Sequence, residues 1–191
     1  MSPDGMARPG PVPIEEADRL VARYLWLERR RFEVLGAWVT STPEPEVAQL
    51  LATQAHHHAW HASVWERHLP RRSGYVAPGT APAGPGLSAF VDAVAAPAGP
   101  GTTVARLVGA FRVLAPRAVS SYSAALARAS NVSGAAFART CRLVLADQVA
   151  DWHDGELALQ GVLDTDELII QAARHQGELE RRLLAAGGIT G

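Results

Sequence analysis

Five of the chain's seven histidines, His56, His57, His58, His61 and His68, fall within thirteen residues, in a segment whose apolar positions recur at helical spacing. On a helix His57 and His61 lie one turn apart on one face, as do His58 and His61. At that spacing two imidazoles can share a metal ion or a proton. Imidazole suits zinc, iron or copper, and three protein ligands with one open position make a catalytic form of site. Without a metal, a histidine that titrates near neutrality between carboxylates shuttles protons as a general acid and base. The plainer reading leaves His56 and His68 solvated and lets the others hydrogen-bond among the helices.

The acids that could join the histidines are few. Asp147 and Asp151 stand one turn apart in a stretch that also holds His153 and Asp154. Four polar groups in eight residues cannot all point inward, and Asp147 and Asp151 are the pair expected inside. Glu28 stands between Leu27 and Arg29-Arg30-Arg31. Facing inward it is a buried acid needing a cation or a donor; facing outward it is an ordinary helical ion-pair partner. The three arginines read as a solvated face. Tyr24 and Tyr122 offer hydroxyls for a substrate or a carboxylate, or fill the core with the hydroxyl reaching its edge.

Helices must position all of these groups, because nothing in the chain reads as a strand. Ala17, Leu20, Val21, Tyr24, Leu27, Leu35 and Trp38 recur at three and four, with Glu15 and Glu16 early where the helix dipole favours acids, which predicts a first helix over 14–39. Thr42-Pro43-Glu44-Pro45 supplies a capping hydroxyl and a first-turn proline for a second helix that stops before Pro70. Residues 70–101 form a proline- and glycine-rich crossover with a short helix near 87–94. A third helix runs from Thr102 or Thr103 to about Ala129 with a kink at Pro116. Ser133 caps a fourth that stops at Gly161, and Asp164 or Thr165 caps a fifth ending at Gly187-Gly188. The expected organisation is a disordered stretch over 1–12 and one helical domain over 13–187.

The 191 residues, 48% hydrophobic, are enough for one core. Eighteen basic against nineteen acidic residues leave a net charge of −1, so no excess of positive charge points to nucleic acid or an anionic membrane. Every basic residue is arginine, and the absence of lysine excludes Schiff-base chemistry. The single cysteine, Cys141, excludes an intrachain disulfide. With no signal-like start and no run of apolar residues of spanning length, the expectation is a cytoplasmic protein. No Gly-rich phosphate loop, nucleophile elbow or HExxH motif is present.

Tyr24-Leu-Trp-Leu-Glu28-Arg-Arg-Arg, Val47-Ala-Gln-Leu-Leu with His61 and Arg67-His-Leu-Pro70, the stretch Ala118 to Tyr122, and Leu145-Ala-Asp147 together resemble bacterial ferritin-like proteins. The resemblance covers roughly 14–160. It implies an all-α, ferritin-like four-helix bundle with a long crossover between helices 2 and 3, here with an extra C-terminal helix. In the metal-binding members two helices each give a glutamate and two each give Glu-x-x-His. Glu28 matches the first glutamate, which turns it inward. The rest departs: Gln54-x-x-His57 and His58-x-x-His61 stand in helix two, Ser120, Ser121 and Tyr122 in helix three, and Gln148-x-x-Asp151 in helix four. Too few carboxylates remain for an ordinary di-iron site.

The reading that follows is a divergent ferritin-like enzyme acting on a small organic molecule in a histidine-rich pocket, an oxidation by family habit. Its catalytic candidates are His57, His58, His61, Glu28 and Asp151, with Tyr24 and Tyr122 binding substrate. It works either through a nonstandard single metal (Fe, Zn or Mn) on Glu28, His57, His61, Asp147 and Asp151, or through metal-free histidine acid–base catalysis. The alternative is a noncatalytic partner or scaffold subunit, or a homodimer, with Trp26, Trp38, Trp60 or Trp65 at the interface. Iron storage fits least.

Overall fold

The computed structural model describes residues 11–69, 84–130 and 134–189, and among them it is all-helical, with no strand. Helix α1, Ile14–Val39, follows an extended Pro13 and carries Glu15 and Glu16 in its first turn. Its buried stripe, Val21, Tyr24, Leu25, Glu28, Arg31, Leu35 and Trp38, keeps the three-and-four spacing but holds two charged residues. Helix α2, Pro45–Glu66, lies along α1 and buries Val47, Leu51, Gln54, His58, His61 and Trp65 at the same spacing.

The turn between them departs from expectation. Thr42 does not cap α2, which starts at Pro45 after an extended Glu44. Its hydroxyl instead donates to the Trp38 carbonyl at 2.8 Å, closing the end of α1. The first-turn proline at position 45 supplies the helical φ, and no hydroxyl cap is made.

Helix α3, Pro85–Ala95, presents Leu87, Phe90, Val91 and Val94 to the core and packs on α7, where a side chain at Gly86 would crowd Ala186. After a 3₁₀ turn at Pro100–Thr102 come helix α4, Thr103–Leu107, a π segment, Val108–Leu114, and helix α5, Ala115–Arg128, without a break. The structure puts a wide turn directly before Pro116, where the kink was expected. Proline lacks the N–H that a regular helix would send to Arg112, and its ring would strike that carbonyl. The wide turn is closed by bonds such as Ala115 N–H to the Ala110 carbonyl. Phe111, on the π segment, fits against Gly155, where a Cβ would come within 2.2 Å of its ring.

Helix α6, Ala135–Val162, packs on α5 and α2 and passes through Gly161 instead of stopping there. Glycine lowers helix stability without forbidding it. Thr165 caps α7, Asp166–Ala185, accepting from Leu168 N–H at 3.2 Å, and Gly187 and Gly188 end it at positive φ. Ser133, expected to cap α6, lies outside the described residues, as do residues 1–10 and residues 70–83 of the expected crossover. Val12 is tied to the Arg128 carbonyl at 3.1 Å. A contiguous apolar core runs through all of these helices, from Val21 of α1 to Leu183 of α7, with Trp65, Tyr24, Tyr122 and Phe111 at its centre. No described helix is long and apolar enough to cross a membrane.

Candidate metal centre

The charged residues on the buried stripes of α1 and α2 meet. Glu28, His58 and His61 are fully buried and offer ligand atoms that all lie within 4.8 Å of one another. His58 Nδ1 is 2.6 Å and His61 Nδ1 3.3 Å from the same carboxylate oxygen, Glu28 Oε2. Donor atoms around a tetrahedral or octahedral metal sit roughly 3.0–3.4 Å apart, so seating an ion would require the His58–Glu28 hydrogen bond to open and the wider separations to close. The other faces of the carboxylate are also taken. Tyr122 of α5 donates to Oε1 at 2.7 Å, and Gln148 of α6 donates to both oxygens at 3.2 and 3.4 Å. Arg31, one turn beyond Glu28, donates to the Gln148 side-chain oxygen and holds its charge 4.0 Å from Glu28. Four helices thus converge on one carboxylate.

The hydrogen bonds assign the protons. Burial opposes ionisation of Glu28, but His58, His61 and the donors around it hold its carboxyl well below the usual range, and it is a carboxylate. Burial and the Arg31 charge push His58 down to about 4, so it is neutral, donates from Nδ1, and leaves Nε2 as a buried acceptor without a partner among the described residues. For His61, burial is outweighed by Glu28 on one nitrogen and Asp147 on the other, which raise its pKa. Its Nε2 is 3.0 Å from Asp147 Oδ2, and Asp147 is 43% exposed, so this imidazole links the buried carboxylate to solvent. A carboxylate on each nitrogen favours the imidazolium form of His61. Glu28 and Asp147 then balance Arg31 and His61 in charge. Burial and the adjacent Glu28 also keep the Tyr122 phenol protonated.

His57 is not in this group. It is 38% exposed and bonds Asp151 Oδ1 at 2.8 Å beside the centre. The buried stripe of α2 runs Leu51, Gln54, His58, His61, Trp65, and residue 57 falls to its flank. The imidazoles brought onto Glu28 are therefore those of His58 and His61, where the expected metal set held His57 with His61. Asp151 is buried, its carboxyl pushed up by burial, but it faces His57, and its main-chain carbonyl accepts from Gln54 at 2.8 Å. Asp147 reaches the centre only through His61. Tyr24 donates to the Ser121 carbonyl at 3.1 Å and lies 4.2 Å, ring to ring, from Tyr122.

Other expectations are also corrected. Arg31 is buried at the centre, while Arg29 pairs with Glu66 and Arg30 with Glu33 and Asp92 at the surface. Spacing could have shown it, since 24, 28, 31, 35 and 38 form one stripe. Gln148, which stands where the family pattern has a ligand, sits on the buried stripe 141, 144, 148, 151 of α6. His68 is half-buried and bonds Thr140 at 2.8 Å. Trp26, Trp38 and Trp65 are buried, which leaves Trp60 as the one exposed tryptophan of the four named for an interface. Burial pushes the Cys141 thiol up to about 12, and it is chemically quiet.

No protein-family model, curated protein or solved structure matches the chain.

Proposed function

We propose that this chain is a divergent ferritin-like enzyme that acts on a small organic molecule with one divalent transition metal held by Glu28, His58 and His61. The observation that carries the reading is the convergence of two imidazole nitrogens on a single fully buried carboxylate. The order of long helices supports the family, since α1, α2, α5 and α6 each send a side chain to the same point. Two imidazoles and one carboxylate suit zinc, iron or manganese and leave coordination positions open, and the metal would supply Lewis-acid or oxygen chemistry there. His61 would turn Nδ1 to the ion while Nε2–H stays on Asp147, an arrangement that fixes the ring and raises its basicity. His58 would move its proton to Nε2, the atom now without a partner.

Charge sets a condition on this site. Binding a dication releases the extra proton of His61, and with Arg31 still present the centre gains net positive charge. An anionic ligand, a substrate carboxylate or a hydroxide, would restore balance, and Arg31 is placed to favour one. Elemental analysis of protein purified without added metal, followed by titration with Zn²⁺, Mn²⁺ and Fe²⁺, tests the reading. One equivalent bound by the wild type and none by His61→Ala is expected. A protein that takes up no metal at micromolar concentration ends it.

The metal-free reading rests on a different observation, the relay from Glu28 through His61 to the exposed Asp147. In that case turnover survives exhaustive chelation and is lost in His61→Ala, where removing a general acid or base costs about 10²-fold to 10⁴-fold.

A further inference from the structure

A second feature lies away from this centre, at the N-terminal end of α1. A groove of about 550 Å³ opens between α1 and α5, lined by Glu16, Arg19, Arg23, Tyr24, Ser121 and Arg128 with the small apolar side chains of Leu20, Ala124 and Ala125. Its volume is that of a small-molecule site. Three guanidiniums face one carboxylate. Glu16 is already committed to Arg128 by two bonds of 2.6 and 2.8 Å. Arg19 and Arg23, one turn apart on α1, make no hydrogen bond or ion pair with any described residue. Arg23 is half-buried, and both burial and the like charge of Arg19 disfavour its cation.

A half-buried guanidinium beside a second, exposed one, in a groove whose one carboxylate, Glu16, is bonded to Arg128, leaves positive charge for a further anion to meet. We propose that this groove binds a small organic anion, with the oxyanion held by Arg19 and Arg23 and an apolar body lying over Leu20, Ala124 and Ala125. The apolar lining distinguishes such a ligand from a bare inorganic ion, and the fixed fork of arginine suits a carboxylate or a phosphate ester alike. The inference does not rest on the metal reading. The two are adjacent, since Tyr24, in the groove wall, packs against Tyr122, whose hydroxyl is on Glu28.

Calorimetric titration with benzoate, phenyl phosphate, inorganic phosphate and the neutral benzamide tests it, on the protein as purified and again after chelation. We expect benzoate or phenyl phosphate to bind before and after chelation, inorganic phosphate to bind at least about tenfold more weakly, and benzamide not to bind. The double variant R19Q/R23Q, its fold checked by its melting curve, should lose at least about tenfold in affinity. Whichever of the two aromatic anions binds more tightly tells a carboxylate from a phosphate ester. Absence of binding at millimolar ligand, equal binding by the double variant, equal binding of benzamide or of inorganic phosphate, or binding that disappears on chelation would each overturn the proposal.

Discussion

Two buried arginines sit in this fold under opposite conditions. Arg106 of α4 donates to Thr42 Oγ1 and Ser41 Oγ, each at 3.0 Å, and to the Pro97 carbonyl at 3.2 Å, with its guanidinium over the Trp38 ring. Every partner is a neutral oxygen, from the turn between α1 and α2 or from the segment after α3, so one side chain clasps three parts of the chain. Arg31 lies instead among ionised and ionisable groups. Around it His58 Nε2, Gln54 Oε1 and Asp151 Oδ2 are buried without a partner among the described residues. Each such atom costs roughly 1–3 kcal/mol. The clasp at Arg106 is what a fold builds when it needs only to be held. The cluster at Arg31 keeps more charge and more spare atoms than holding requires, and that surplus is what the proposed metal site would draw on.

The sharpest way to break this contrast is Glu28→Ala. It removes the anion that faces His61 and Arg31, and the stranded buried charges should destabilise the protein by about 3–5 kcal/mol in urea unfolding. A loss under about 1 kcal/mol would mean that the centre is not charge-balanced as described. Arg106→Ala should cost about 2–4 kcal/mol by the same measurement, through lost charged hydrogen bonds and packing on Trp38, and should leave metal uptake untouched. If uptake falls as far as stability does, the two regions are coupled and the contrast fails. Gly155→Ala pushes against Phe111 and should lower stability by about 1–3 kcal/mol, read as a fall in melting temperature. The smallest stability effect is expected for His58→Leu, within about 1 kcal/mol, because Glu28 keeps its Tyr122, Gln148 and His61 partners. Titration with Zn²⁺ should nevertheless show affinity reduced by at least about 100-fold, a separation of function from stability that Arg106→Ala shows in reverse.

The helices were legible because apolar spacing is a local property: 21, 24, 28, 31, 35 and 38 can be read along α1 without knowing what α1 touches. The centre was legible to the level of residue type, with Glu28, His58, His61, Tyr122 and Asp147 all marked in advance. Two things were not. Choosing His58 over His57 needs the rotation of α2 to within a fraction of the 100° that separates successive residues, and that rotation is set by packing on α1. Arg31 was misread because a triple arginine suggests solvent, whereas only its third member falls on the inner stripe. The groove at Arg19 and Arg23 could not be seen at all, since Arg128 and Ser121 reach it from about a hundred residues away along the chain.

The π segment has a consequence for how this chain can tolerate length change. A π turn is an α-helix with one residue inserted, and each inserted residue rotates everything after it by about 100°. Tyr122 lies downstream of Val108–Leu114, so its bond to Glu28 depends on that insertion being present. Deleting one residue between 108 and 114 would return the segment to an ordinary helix, and without the wide turn Pro116 would again oppose the Arg112 carbonyl. It would also swing Tyr122, Ser121 and Arg128 together onto another face. The buried centre and the arginine groove thus share a single phase, set one turn before a proline, and a one-residue gap there would erase both at once.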